Sequence, residues 1–290
     1  MDYRIFSSAK DYRPVISQVA QLFDLVFRRP FPAEHWEQWY FNNPYGDPYV
    51  VLSYQDRQLV GHHALIPQTL VGDSGRTLQY FLSVSTMVHP RHRNLSFFIG
   101  MTEALHNEAG QSGADFILAF PNANSAPLFE RIFRYRLLAQ TDLCNCYLPS
   151  PPLSRNIEGF VDRPPETTRP GRWSYPLDSA YWIWRTKVNQ AKIANIDGKL
   201  RIVYKIIGSA ILMVLDVAFQ RREGAVALLA GFAATLGLST VRLTRYHASL
   251  LGIPDSELTS HDNYVVRCLG FPLAGELPDI RLSLLLSDVF

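Results

Sequence analysis

Residues 81–90 read FLSVSTMVHP, residues 91–96 read RHRNLS, and residues 97–136 continue as FFIGMTEALHNEAGQSGADFILAFPNANSAPLFERIFRYR. The first block is apolar and rich in β-branched residues, and it ends at His89-Pro90, which predicts a strand. The second block is a compact basic turn. A helix is expected from about Phe97, because Phe98, Met101, Leu105 and Ala109 recur at helical spacing. Gly113 closes it, residues 115–120 form a second apolar strand, and a short polar turn leads into another helix. A strand that feeds a helix through a tight turn aims backbone N–H groups outward. The helix end adds its partial positive charge, so this turn is suited to hold phosphate.

At these residues the chain resembles the GNAT superfamily of acyl-CoA-dependent N-acyltransferases. The family's Arg/Gln-x-x-Gly-x-Gly/Ala pyrophosphate turn is matched by Arg93, Asn94, Leu95, Ser96, Phe97 and Phe98. Residues 88–93 resemble the V-x-P-x-x-R approach to that turn. Residues 120–125 (FPNANS) resemble its Asn-x-x-Ala/Ser turn, and residues 129–133 (FERIF) the end of its last helix. Ser96 and Phe98 stand where the family has small residues, and Phe133 stands where it has glycine. A glycine there allows close backbone approach to phosphate. Ser96 still offers an N–H, and the place of Phe98 in the apolar stripe turns its ring toward the core.

The resemblance implies acetyl-CoA or another acyl-CoA as co-substrate, held by Met87, Val88, residues 93–98, Asn122, Ser125 and Phe129. It also implies direct attack of an amine on the thioester carbonyl, polarised by a backbone N–H near Met87 or Val88. The family's usual acid, a tyrosine on the last helix, is matched by Phe129, which has no proton to give; Tyr135 lies nearby in a different register. His62 and His63 are the candidate bases, and as neighbours on a strand only one of them faces any cleft. Ser83 and Ser85 share one face of the central strand, and Ser85 joins the candidate catalytic set. Both are equally well explained by bonds to neighbouring backbone. Trp36, Trp39, Tyr40 and Tyr45 form a candidate wall for the acceptor, although the helical spacing of the first three also suits core packing.

The chain has 290 residues, 47% hydrophobic and 19% charged, the composition of a globular protein of one or two domains. A net charge of +2 gives no reason to expect nucleic acid as a partner. Cys144, Cys146 and Cys268 have neither disulfide nor zinc spacing, and no metal is expected. Free thiols and an N-terminus without an apolar run point to the cytoplasm. Residues 202–219 are the most apolar, but Lys205, Gly208-Ser209 and Asp216 divide them into two buried strands rather than a membrane span.

Around the central block, residues 3–7 read as a strand and residues 15–27 and 34–42 as helices. Residues 49–54 and 59–70 read as a hairpin, residues 78–88 as the central strand and residues 135–148 as a closing strand. This is the family's order: a mixed, mostly antiparallel α/β sheet flanked by helices. Residues 1–148 are taken as a GNAT-like acyl-CoA-binding domain. Residues 149–172, with six prolines, are taken as a linker, and residues 173–290 as a degenerate second copy. In that second half, Tyr181 and Trp184 answer Trp36 and Trp39, and Asn189 answers Asn43. A strand at 210–219, a helix at 223–236 and a strand at 240–246 follow, with no comparable phosphate turn at 219–224. Residues 265–273 and 280–286 are expected as closing strands.

The leading expectation is an acyl-CoA-dependent N-acyltransferase with a small amine acceptor, an amino sugar by analogy with GNAT-like proteins. A non-catalytic binding module and an aminoacyl-tRNA-dependent transferase of the paired GNAT-like type stay open beside it. The acyl group and the oligomeric state are not readable from the sequence.

Overall fold

The computed structural model describes residues 2–72, 74–153, 157–158, 173, 179–274 and 276–279. In chain order the elements are β1 (Asp2–Phe6), α1 (Ala9–Tyr12), α2 (Ile16–Phe27), α3 (Ala33–Tyr40), β2 (Tyr49–Gln55), β3 (Gln58–Val71), β4 (Thr77–Val88), α4 (Leu95–Gly110), β5 (Phe116–Ala119), α5 (Ala126–Arg131) and β6 (Arg136–Tyr147). There follow β7 (Ile157–Glu158), α6 (Ser179–Asn189), β8 (Lys192–Ile196), β9 (Leu200–Ile207), β10 (Ile211–Phe219), α7 (Ala225–Thr235), β11 (Thr240–Thr244), α8 (Arg245–Leu251) and β12 (Leu258–Pro272). They form two compact units. Unit 1 comprises Met1–Leu137, Trp173–Tyr175 and Leu269–Pro278; unit 2 comprises Leu138–Arg172, Pro176–Cys268 and Asp279–Phe290.

In unit 1, β1 to β4 pair antiparallel in chain order and β5 adds parallel to β4. The end of β12 then pairs antiparallel with β5, Leu269 opposite Ala119. Unit 2 repeats this pattern: β7, β8, β9 and β10 are antiparallel, β11 is parallel to β10, and β6 is antiparallel to β11. Unit 1 thus takes its sixth strand from a distant segment, Leu269–Pro278, whereas unit 2 takes its sixth from the start of its own run. The mixed, mostly antiparallel sheets flanked by helices are the expected class.

In unit 1 the alternation of strand side chains builds a core on each sheet face. α4 contacts β1, β2 and β3, while α2 contacts β3 and β4. On α4 the buried ladder is Phe97, Met101, Leu105 and Ala109, with Phe98 only half-buried, one position off the expected stripe. Four residues is close to one helical turn, so this ladder faces the sheet squarely. Its first ring lies over Gly61 of β3. A Cβ on Gly61 would stand 2.7 Å from the Phe97 ring, so only glycine admits this contact.

Several boundaries differ from the sequence reading. β8 and β9 form a hairpin through Asp197-Gly198, both at positive φ, a turn signal the apolar run from residue 202 obscured. β11 stops at Thr244, whose hydroxyl accepts the His247 N–H and starts α8; Gly252, at φ 87°, ends it. β12 begins earlier than residue 265. The expected strand at 280–286 and most of the proline-rich stretch lie outside the described residues. No helix among the described residues is long and apolar enough to cross a membrane.

Gly61→Val is expected to destabilise the protein by about 1–3 kcal/mol, because the Phe97 ring must leave its place. Urea denaturation checks this; an unchanged midpoint would show that α4 packs elsewhere.

Candidate functional site

β4 is interrupted near its end. His62 of β3 pairs with Met87 and Ala64 with Val84, so one β3 residue faces Ser85 and Thr86 together. This is a β-bulge, and Ser85 takes a left-handed backbone at φ 52°. The bulge is clamped from within. His62 Nδ1 lies 2.8 Å from the Ser85 carbonyl oxygen; a carbonyl only accepts, so the imidazole proton sits on Nδ1. Nε2 is then the acceptor, and Tyr12 donates to it at 3.0 Å. Trp36 Nε1–H donates to Tyr12 Oη at 3.2 Å, and the Trp36 ring stacks on Tyr40 at 4.3 Å. All these side chains are buried. Burial lowers the His62 pKa to about 4, so the ring is neutral at neutral pH.

Just before the bulge, β4 and β5 part. Their last pair is Ser83 with Ala119, while β4 continues to Val88. The His89 N–H reaches the Val60 carbonyl on β3 at 2.8 Å. N–H directions alternate along a strand, so the Val88 N–H points the other way, into the gap. The chain then turns: His89 Nδ1 accepts the Arg91 N–H at 3.2 Å, and Arg93 Nε donates to the Val88 carbonyl at 3.4 Å. Asn94 Oδ1 caps α4 by accepting the Phe97 N–H at 2.7 Å, leaving the Leu95 and Ser96 N–H groups in the outward first turn. The Phe98 ring packs on Phe129 and Phe133 at 6.1 and 5.4 Å, away from that turn. At the same sheet edge, after β5, Asn122 Oδ1 accepts the N–H groups of Asn124 and Ser125, each at 3.0 Å, and Ser125 Oγ donates to it at 3.2 Å. The structure therefore brings Ser85, Met87, Val88, residues 93–96, Asn122 and Ser125 to one edge of the sheet, where β4 runs past its last pair with β5 and the exposed Arg91 and Arg93 follow.

Other expected site residues lie elsewhere. On the α4 side, His63 is fully buried, bonded to Ser83 Oγ at 2.8 Å and Thr102 Oγ1 at 3.4 Å, and desolvation holds its pKa well below the usual range. Tyr135 is buried with its hydroxyl 3.0 Å from His106 Nε2; burial raises the phenol and lowers His106 to about 4. Phe129 belongs to the same apolar cluster. Trp36, Trp39 and Tyr40 are at most 2% exposed, core rings rather than a cleft wall, and Tyr45 sits apart in the α3–β2 loop. Tyr12, Thr102 and His106 were not anticipated. The one available signal was the pair Thr102 and His106, four residues apart on the buried side of α4. Among the described residues no group of three or more His, Cys, Asp or Glu side chains is placed to hold a metal ion.

Unit 2 has a related break. β10 and β11 pair only from Ile211 to Met213, and β10 shifts register between Val214 and Asp216. Asp216 and His247 are both fully buried, with Oδ1 and Nε2 3.5 Å apart. The turn into α7 carries Arg222, but its guanidinium donates to the Ser249 carbonyl at 3.1 Å and lies over Gly252. It caps the C-terminus of α8.

Two outcomes follow from the clamp. Ser85→Val is expected to cost about 1–3 kcal/mol, since a β-branched side chain resists φ > 0, whereas Ser85→Gly is neutral or stabilising. The three neutral histidines are protonated in the unfolded chain below about pH 6.5 but resist protonation when folded. Stability is therefore full above that pH and falls as pH drops toward 4, by about 1.4 kcal/mol per unit for each histidine. Urea midpoints at pH 7.5, 5.5 and 4.5 measure this; a flat series would show that the imidazoles are not held neutral.

Residues 14–136 match the sequence model of the acetyltransferase (GNAT) domain. No curated protein matches the chain. Among solved structures, a conserved protein of Enterococcus faecalis V583 described as a probable N-acyltransferase superposes with a TM-score of 0.67 at 11% identity, over 94% of this chain and 73% of that one. A GCN5-related N-acetyltransferase from Anabaena variabilis gives 0.64 at 12% identity, over 94% and 73%. Another from Kribbella flavida gives 0.63 at 14%, over 93% and 70%. At such identities the likeness is one of fold. Residues 14–136 are thus similar in sequence to the acetyltransferase (GNAT) domain, and the chain shares its fold with these N-acyltransferase and N-acetyltransferase structures.

Proposed function

We propose that unit 1 binds an acyl-CoA in the β4–β5 gap and transfers its acyl group directly to a small amine. The observation that carries this reading is the bulge at Ser85 beside the parted strands. It leaves a backbone donor, the Val88 N–H, aimed at a space bordered by a basic turn. In this reading the thioester carbonyl accepts from that N–H, which stabilises the negative charge that develops on its oxygen. The pyrophosphate lies against the N–H groups of Leu95 and Ser96, with Arg91 and Arg93 nearby. The amine nitrogen attacks the carbonyl carbon, a C–N bond forms and the C–S bond breaks. Water takes the amine proton and returns one to the thiolate, because Phe129 has none to give. His62 acts as a positioning residue through the Ser85 carbonyl, since both of its nitrogens are engaged. Unit 2, with its related strand order and its Arg222 turned inward, is read as a second GNAT-like copy without an anion cradle. An amino sugar is one acceptor of the right class.

Phe129 favours a second reading, a domain that binds acyl-CoA without turnover. Calorimetry with acetyl-CoA and longer acyl-CoAs decides between them when joined to a thiol-release assay over a panel of amines. Arg93→Glu is expected to weaken binding roughly tenfold or more while leaving the melting temperature nearly unchanged, because Arg93 is exposed. Binding without thiol release supports the second reading. No binding of any acyl-CoA removes both.

A further inference from the structure

The basic turn of unit 1 is held by a side chain at each end. At its far end Asn94 caps α4. At its start stands His89, which follows β4 and precedes Pro90. A residue before proline is kept to extended backbone, and His89 has φ −52° and ψ 133°. Pro90–His92 then make one 3-10 turn. The first N–H groups of a helical turn find no partner within it. Here Pro90 has no N–H to satisfy. His89 Nδ1 accepts the Arg91 N–H at 3.2 Å, and the His89 carbonyl accepts the His92 N–H at 2.8 Å. The His89 N–H is itself tied to the Val60 carbonyl at 2.8 Å. The turn is therefore fastened to the sheet through this one residue.

The His89 ring is buried and lies edge-on to the His92 ring at 5.2 Å. Burial, then the charges of His92 and Arg91, lower its pKa, so the ring is neutral at neutral pH. Nδ1 accepts, which places the proton on Nε2. Arg91 and Arg93 are exposed on either side of His92. Their like charges repel, so a loose turn would spread them apart.

We propose that His89 is a positioning residue for the anion, its Nδ1 holding the turn in the form that receives the pyrophosphate. The inference rests on acyl-CoA binding by unit 1. His89 acts here without touching the ligand. A turn ordered in advance presents Arg91, Arg93 and the Leu95 and Ser96 N–H groups together. A loose one must be ordered by the ligand, and affinity falls by that cost.

The test is calorimetry with acetyl-CoA on the full chain. His89→Leu keeps bulk but offers no acceptor, and it should weaken binding roughly fivefold or more. His89→Asn keeps an acceptor for the N–H two residues on, in a pairing with proline that itself favours turns. It should bind within about twofold of the parent. Both should melt within about 4 °C of the parent, since one capping bond is involved. Where leucine disturbs folding, His89→Ala takes its place. Asparagine is smaller than histidine, so its rescue separates the acceptor from mere packing. Unchanged binding in His89→Leu and His89→Ala overturns the proposal. So does His89→Asn as weak as His89→Leu. A parent that binds no acetyl-CoA removes the acyl-CoA reading and this inference with it. Binding by the parent with unaffected variants removes this inference alone.

Discussion

The geometry of unit 1's candidate site depends on the bond between the His62 ring and the carbonyl of Ser85. A non-glycine residue in the left-handed region costs on the order of 1–3 kcal/mol and persists only where its surroundings over-determine it. Here Ser85 is fixed by an imidazole that is itself fixed by Tyr12 and Trp36. β5 ends at Ala119, opposite Ser83, and β4 runs on past it through the bulge to Val88, whose N–H points away from β3. Without the clamp, β4 would gain by straightening, and the basic turn after it would lose its placement.

The clamp also shows why unit 1 buries so many polar rings. The sheet carries one histidine network on each face: His62 under α1 and α3, and His63 with His106 under α4. Each imidazole is neutral, because a buried charge without a partner costs far more than a neutral ring with its hydrogen bonds made. Satisfied networks of this kind specify one packing, since any shift leaves several groups unpaired at once. In unit 2 the comparable strand break carries a different pair, Asp216 with His247, and the basic residue of its turn serves a helix end.

Each unit completes its sheet with a pairing between strands far apart in the chain. Residues 269–272 pair with β5, roughly 150 positions earlier, and β6 pairs with β11, about 100 positions later. Such non-local pairings leave little trace in local sequence. A strand reads as apolar and β-branched whichever neighbour it finds, and nothing in residues 136–147 or 269–272 names the partner.

The sequence by itself determined the elements of unit 1 from β1 to α5 other than α1, the basic turn before α4, and the division of residues 202–219 into two strands. These follow from local rules of period, proline and glycine. It placed His62 and His63 on opposite faces because strand side chains alternate. It missed the hairpin at Asp197-Gly198 and the start of α8, whose signals were present but outweighed by apolar runs. Tertiary structure alone decided the roles. Whether Trp36 and Tyr40 form a cleft wall or a core stack depends on what packs over them, and Tyr12 and His62 fill that space. Whether His62 is a base or a clamp depends on its two nitrogens, whose partners lie 50 and 23 residues away. The bulge at Ser85 has no sequence mark, because serine is not a residue that prefers φ > 0. It exists because the packed interior makes the strained conformation the one that satisfies every buried polar group.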